Sequence, residues 1–242
     1  MPIRRTLLVD IGNTCIKYRA LTAASDNIQV VDDLARLIDH IEQTPIDSLY
    51  IANVGKPAVE ETLSLLCKQQ NIEFHSIKTE KDAFGIKNSY SNPHKMGVDR
   101  WLAMLGAANL TSKPYAVIDA GTAITVDFVA NGQHLGGWIA PGFHTMKKAL
   151  LENTTRVFED QNIPAQLNMG DDTEKCVAMG CLASLQGIYW SAKRILNNQF
   201  KENVIFFTGG DKKLLTSVCE GDSLTAANLV IDGLARYAEK AS

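Results

Sequence analysis

Two stretches of this chain follow one pattern, and the pattern narrows what the chain can fold into. Leu8-Val9-Asp10-Ile11-Gly12-Asn13-Thr14 returns 109 residues later as Val117-Ile118-Asp119-Ala120-Gly121-Thr122-Ala123. Each copy is an apolar run ending in Asp-x-Gly and a small polar residue, followed by an alternating segment, Cys15 to Ala20 and Ile124 to Val129. The offset is close to half of 242 residues, which predicts two similar halves, each with a carboxylate and a glycine turn at a strand end. A chain of this length accommodates two domains, and we place the boundary at 112/113, beside Ser112-Lys113-Pro114.

The order of elements agrees. In the first half, Thr6 to Asp10 and Cys15 to Leu21 read as a hairpin, with Ile28 to Val31 as a third strand. A helix opened by Asp32-Asp33, a strand over Leu49 to Val54, a helix over Pro57 to Gln70 and a strand over Glu73 to Ile77 follow. Asp82 to Met96 reads as a long loop of the kind that binds ligands, and Trp101 to Asn109 as a helix bridging the halves. In the second half, Tyr115 to Asp119, Ile124 to Val129 and His134 to Ile139 are strands, and a helix follows Pro141-Gly142. A long helix spans about Thr173 to Asn197, with Ala178, Leu182, Leu185, Tyr189, Ala192 and Leu196 on one core-facing stripe. Val204 to Thr208 is a strand ending in Gly209-Gly210-Asp211, and Thr225 to Ala238 a last helix.

Bulk properties exclude several classes. A net charge of -3 without a basic patch speaks against nucleic acid, and the start, Met1-Pro2-Ile3-Arg4-Arg5-Thr6, is too short of apolar residues for a signal peptide or membrane span. A cytoplasmic protein without a membrane partner is expected. Five cysteines lack a C-x-x-C pair, and the five histidines are dispersed, which predicts reduced thiols and no zinc site.

An aspartate at the end of a buried strand is costly to desolvate unless a cation meets it, and the adjoining glycine turn presents backbone N–H groups to an anion. A magnesium-bound polyphosphate satisfies both, with the Asn13, Thr14 and Thr122 side chains as further donors. Two such strand ends brought together by pseudo-twofold packing would make a nucleotide cleft, and Thr208-Gly209-Gly210-Asp211 adds a turn that a nucleotide can approach.

Five spaced motifs then carry a resemblance. Asp10-x-Gly12-Asn13-Thr14, Gly97-x-Asp99-Arg100, Asp119-x-Gly121-Thr122-Ala123, Gly136-Gly137-x-Ile139-x-Pro141-Gly142 and Thr208-Gly209-Gly210 together resemble type III pantothenate kinase, of the acetate and sugar kinase, Hsp70 and actin superfamily. The resemblance implies an α/β chain of two duplicated ribonuclease-H-like (actin-like ATPase) domains, each a mixed sheet flanked by helices. It implies ATP-dependent phosphorylation of pantothenate to 4'-phosphopantothenate, the first step of coenzyme A synthesis, by a homodimer using Mg2+ and a monovalent cation, K+ or NH4+.

On that pattern Asp10, Ile11, Gly12, Asn13, Thr14, Cys15, Ile16 and Lys17 form the first phosphate loop, with magnesium near Asp10, and Thr122 contacts ATP. Gly97, Val98, Asp99 and Arg100 line the pantothenate pocket, Asp99 being the catalytic proton acceptor, with Tyr90 and Thr173 as further substrate contacts and Asp119 as the potassium ligand. Val98 stands where the family commonly has alanine, and Trp138 interrupts the glycine motif.

Plainer roles exist for these residues: a helix cap for Asp99 or Thr173, a loop anchor for Tyr90, a solvated ion pair for Arg100. If Arg100 does bind an anion, both the substrate carboxylate and the transferring phosphoryl suit it. Two other functions fit parts of the sequence. One is a non-catalytic transcriptional accessory factor of the same family, against which retention of Asp10, Asp99 and Asp119 argues. The other is a kinase of the same fold acting on another hydroxyl or carboxylate. A doubly wound nucleotide-binding or methyl-transfer enzyme would leave the repeat unexplained and lacks G-x-G-x-x-G.

Overall fold

The computed structural model describes residues 4–21, 27–153, 166–219, 223–226 and 228–241. The chain divides into two compact units, Met1–Leu110 with Asn228–Ser242, and Thr111–Ala227. The boundary read from sequence therefore lies beside the division at Leu110/Thr111, and the C-terminal segment returns to the first unit.

In the first unit β1 (Thr6–Ile11), β2 (Ile16–Ala20) and β3 (Gln29–Val31) form an antiparallel meander. Helix α1 (Leu34–Gln43) follows, capped by Asp33, whose Oδ1 accepts the Arg36 N–H at 2.9 Å. Strand β4 (Ser48–Asn53) pairs parallel with β1, and α2 (Pro57–Gln70) begins on its proline. Strand β5 (Glu73–Ile77) adds parallel to β4 and completes the order β3-β2-β1-β4-β5.

The segment predicted as one loop is partly ordered into β6 (Asp82–Ala83), β7 (Ile86–Lys87) and a single 3₁₀ turn, Pro93–Lys95. Two-residue strands are too short to leave a period-2 signature. Their turn has positive φ at both Phe84 (51°) and Gly85 (77°), and phenylalanine is an unusual choice there. Helix α3 (Val98–Ala107) starts three residues earlier than expected and belongs to the first unit.

The second unit rebuilds the same layout. Strands β8 (Tyr115–Ala120), β9 (Ala123–Ala130) and β10 (Gln133–Pro141) form the antiparallel meander, and α4 (Phe143–Asn153) and α5 (Thr173–Gln199) cover it. Strand β11 (Val204–Thr208) pairs parallel with β8; α6 (Lys212–Val218) and β12 (Ser223–Thr225) follow, giving the order β12-β11-β8-β9-β10. The predicted stripe on α5 is buried against this sheet.

The last helix, α7, covers Leu229–Lys240, whereas the sequence pattern starts it at Thr225. Thr225 instead ends β12, and the Ala226 N–H donates to the Phe207 carbonyl at 2.9 Å. Helix α7 packs on α3 and β1, with Gly106 and Gly233 facing the Leu229 and Leu102 carbonyls so closely that a Cβ on either would overlap them. It also supplies the support for Phe84: the ring lies edge-on to Tyr237 at 4.8 Å and under the Arg236 guanidinium at 4.7 Å. Those contacts offset the roughly 1–2 kcal/mol that a left-handed conformation costs a residue with a Cβ.

Asp10 and Asp119 are each the fifth residue of a six-residue central strand. Each is flanked by an antiparallel partner, Lys17 or Thr125, and a parallel one, Ala52 or Thr208. The duplication seen in two heptapeptides is thus a duplication of sheet topology. Among the described residues, no helix is long and apolar enough to cross a membrane.

Candidate active site

The turn after β1 is closed by the Gly12 N–H, which donates to the Cys15 carbonyl at 3.1 Å. Asp10 is 8% exposed, while Asn13 and Thr14 are exposed at the tip. Ile11 and Ile16 are buried in the core of this unit, so of the eight residues assigned to the loop these two, like Gly12, have only backbone to offer a ligand. The loop has a support that sequence reasoning missed: Lys56 Nζ donates to the Gly12 carbonyl at 2.8 Å and the Asn13 carbonyl at 3.1 Å. Forty-odd residues separate the partners, and no local motif links them.

The second turn is braced from its own unit. The Gly121 N–H donates to the Ala123 carbonyl at 3.0 Å, and the Thr122 carbonyl accepts from the Gly142 N–H at 3.0 Å and the Thr145 hydroxyl at 2.6 Å. The Ala120 carbonyl accepts the Asp211 N–H at 2.9 Å. Gly209, with φ +92°, lies directly against the Ala120 carbonyl and Asp119 Oδ1, where any Cβ would overlap both. Asp119 is half-buried and Thr122 exposed.

The segment Gly97 to Arg100 is organised by α3. Gly97 is its N-cap and makes no side-chain cap; Asp99 sits inside the first turn, where Oδ1 accepts the Arg100 N–H at 2.8 Å. This carboxylate lies across Gly97 so closely that a Cβ there would displace it. The capping alternative for Asp99 is thus realised in part, since one oxygen meets a first-turn N–H, but the cap position itself belongs to Gly97.

Arg100 is buried, at 7% exposure, and donates from Nη1 to the Tyr90 hydroxyl at 3.2 Å. A solvated ion pair does not describe it, and Tyr90 is at least its anchor. Lys81, also missed in the sequence, holds the Tyr90 segment by donating to the Asn88 and Tyr90 carbonyls, each at 2.9 Å. Behind this segment Trp101 Nε1 donates to the Tyr237 hydroxyl at 3.1 Å, and that hydroxyl donates to Glu80. Burial, reinforced by the Glu80 carboxylate, pushes the Tyr237 phenol well above its ordinary value.

Thr173 is the first residue of α5, whose cap is Asp172, with Oδ1 accepting the Lys175 N–H at 2.7 Å. Its predicted capping alternative is therefore taken by its neighbour. Thr173 lines a cavity of about 920 Å³ together with Met146, Leu150, Asp172, Cys176 and Gly180, a size within the range of small-molecule sites.

Comparisons with known proteins bear on family and fold. The sequence profile of the type III pantothenate kinase family matches residues 6–191. A type III pantothenate kinase of Pseudoalteromonas atlantica is 33% identical over 238 residues, covering 96% of both chains. Among solved structures, a conserved Campylobacter jejuni protein described as a Baf family transcriptional activator superposes with a TM-score of 0.64 at 22% identity, covering 97% of this chain and 98% of that one. MreB5 of Spiroplasma citri bound to ADP superposes at 0.52 with 11% identity, covering 99% and 97%. The two structural likenesses bear on fold alone and agree with an α/β chain of actin-like ATPase type. Family profile and full-length relatives together mean that this chain belongs to the type III pantothenate kinase family, and phosphorylation of pantothenate for coenzyme A synthesis is its activity.

Proposed function

We propose that Asp99 accepts the proton of the pantothenate hydroxyl while that oxygen takes the γ-phosphoryl of ATP, and that residues 10–17 hold the triphosphate. One observation carries the reading of Asp99: its carboxylate is fixed at the N-terminus of α3 by the Arg100 N–H, in a segment anchored through Tyr90, Arg100 and Lys81. Phosphoryl transfer needs alignment and neutralised charge more than covalent help, and a pinned carboxylate is suited to orient the hydroxyl and take its proton late. The buried Arg100 guanidinium, fixed on Tyr90, is assigned to an anionic group of the bound substrates. Thr173 and its cavity are assigned to the acceptor, and Thr122 to ATP.

The donor set fits the cations that such a reaction uses. Asp10 presents one carboxylate beside the exposed residues Asn13 and Thr14, and among the described residues no group of three His, Cys, Asp or Glu side chains gathers to hold a metal by itself. That suits Mg2+, which is commonly held by one or two carboxylates and the substrate phosphates and supplies charge neutralisation there. Asp119 offers oxygen ligands in a cradle shaped by Gly209, which suits K+ or NH4+. The outward face of α5 beyond that cavity, with Gly187 and Trp190 exposed, is the surface assigned to a homodimer contact. A cytoplasmic, ATP-consuming enzyme without nucleic-acid partner completes the reading.

Turnover of ATP and pantothenate in potassium or ammonium buffer is expected to exceed that in sodium, and Asp119→Asn to remove the difference. Equal rates in all three cations for the unaltered chain would discard Asp119 as a cation ligand.

Cys15 gives an independent report on the first loop. Burial pushes the Cys67 thiol up to about 11 and the Cys219 thiol up to about 12, so neither is expected to react with iodoacetamide in the folded protein at pH 8. Cys15 is only half-buried and is expected to be alkylated at a rate that ATP with magnesium lowers, read by peptide mass spectrometry. An unchanged rate at saturating nucleotide would argue that ATP lies elsewhere.

A further inference from the structure

Lys56 stands at the hinge between β4 and α2, and its backbone is held on both sides by one side chain. Asn53 Oδ1 accepts the Lys56 N–H at 3.3 Å, and Asn53 Nδ2 donates to the Lys56 carbonyl at 2.9 Å. Pro57 then fixes the next residue at the first position of α2. Strand pairing brings this hinge beside the first loop: Ile11 is in register with Asn53, and the Val54 N–H donates to the Ile11 carbonyl at 3.2 Å. From there the Lys56 ammonium reaches back to two successive carbonyls of the loop, Gly12 and Asn13.

Two successive carbonyls fixed on one ammonium determine more than their own direction. A peptide unit is planar and trans, so its C=O and N–H point to opposite sides. Turning the Gly12 and Asn13 carbonyls toward Lys56 turns the N–H groups of Asn13 and Thr14 away from it. Asn13 and Thr14 are the exposed residues of this turn. If either peptide flipped, carbonyl lone pairs would meet an approaching phosphate instead of a donor. An ammonium has three donors and no acceptor, and cannot support the flipped arrangement.

Neighbouring charges leave this ammonium available to the loop. Lys56 lines a cavity of about 540 Å³ with Glu60, Glu61 and Lys78, and Glu60 lies one helical turn after it. Both Glu60 oxygens are instead taken by Lys78, at 2.9 and 2.8 Å, with Asn53 Nδ2 at 3.3 Å from one of them.

We propose that Lys56 is a positioning residue for the triphosphate: it clamps the carbonyls of the first phosphate loop so that the Asn13 and Thr14 amides are preset to receive phosphate oxygens. The proposal rests on the reading of residues 10–17 as the phosphate loop.

The test compares Lys56→Met, which keeps the stem and removes the ammonium, with Lys56→Arg, which keeps the charge, and with Asp10→Asn as a probe of the loop itself. ADP binding in the presence of magnesium is measured by calorimetry, alongside steady-state kinetics for both substrates. Loss of a charged hydrogen-bonding group corresponds to a factor of about 10–100, so Lys56→Met is expected to weaken ADP binding and raise the ATP KM by that much. The pantothenate KM is expected to stay within about twofold, and Lys56→Arg to recover much of the loss.

ADP affinity within about twofold of the unaltered chain in Lys56→Met, with a clear loss in Asp10→Asn, would overturn the clamp and leave the loop assignment standing. Unchanged ADP binding in both variants would overturn the loop assignment and the clamp with it. Parallel losses for both substrates without recovery in Lys56→Arg would reduce Lys56 to a structural role. Should Lys56→Met not fold, Lys56→Gln, a neutral donor, takes its place and is expected to fall between Met and Arg.

Discussion

Asp99→Asn is expected to lower kcat for pantothenate phosphorylation by about 10²–10⁴-fold, the scale of a lost general base. The replacement is nearly isosteric, and its Oδ1 can still accept the Arg100 N–H now donated at 2.8 Å, so the first turn of α3 keeps its partner. Buried Trp101 and its bond to Tyr237 lie on the other side of the helix start and are untouched. Melting temperature and ADP affinity should therefore remain close to those of the unaltered chain while turnover collapses. A coupled assay following ADP release measures the effect, and turnover within about threefold of the unaltered enzyme would remove Asp99 from the proton-accepting role.

Gly209→Ala is expected to produce the largest loss of stability. The position combines a left-handed φ of +92° with a backbone oxygen and the Asp119 carboxylate occupying the space of any Cβ. Relief requires β11 and the end of β8, paired through Thr208 and Asp119, to move apart. Left-handed strain and overpacking of this kind together cost about 2–4 kcal/mol. For a chain of this size that corresponds to a fall in Tm on the order of 10 °C, read by calorimetry. The methyl group also pushes on Asp119, so the dependence on potassium should weaken in whatever folded enzyme remains. A variant with unchanged Tm would mean that the turn is more plastic than its hydrogen bonds to Asp211, Gly142 and Thr145 indicate.

Much of this molecule was legible from sequence because its signals are local. The two Asp-x-Gly copies lie at equivalent positions of equivalent strands, and Pro57 to Gln70 is a helix with the bounds its proline and its periodicity predict. The predicted site residues also occupy coherent local settings: Asp99 in a first turn, Asn13 and Thr14 at an exposed tip, Arg100 buried on Tyr90. What escaped was non-local or too short. Lys56 and Lys81 look like surface lysines in the sequence, and only strand pairing and loop path bring them to loop carbonyls. Gly209 reads as part of a turn that a nucleotide can approach, and nothing in the sequence shows that it also leaves room for an aspartate 90 residues away. The hairpin at Phe84-Gly85 has strands of two residues and a phenylalanine where turn chemistry favours asparagine or glycine. Helix α7 was foreseen as a helix but assigned to the second half, because periodicity carries no information about which sheet an apolar stripe will cover.

That return of α7 has a consequence for how the protein comes into being on the ribosome. The second unit is one unbroken stretch, Thr111–Ala227, whose translation is complete before that of Asn228–Ser242 begins. The first unit is begun earlier yet finished later: α3 has no partner for Gly106, and Trp101 no Tyr237, until α7 leaves the exit tunnel. The usual order of vectorial folding, N-terminal domain first, is thereby inverted. Since Asp99 and Arg100 sit on that waiting helix, the nascent chain holds both residues in an unfinished domain until α7 has been made.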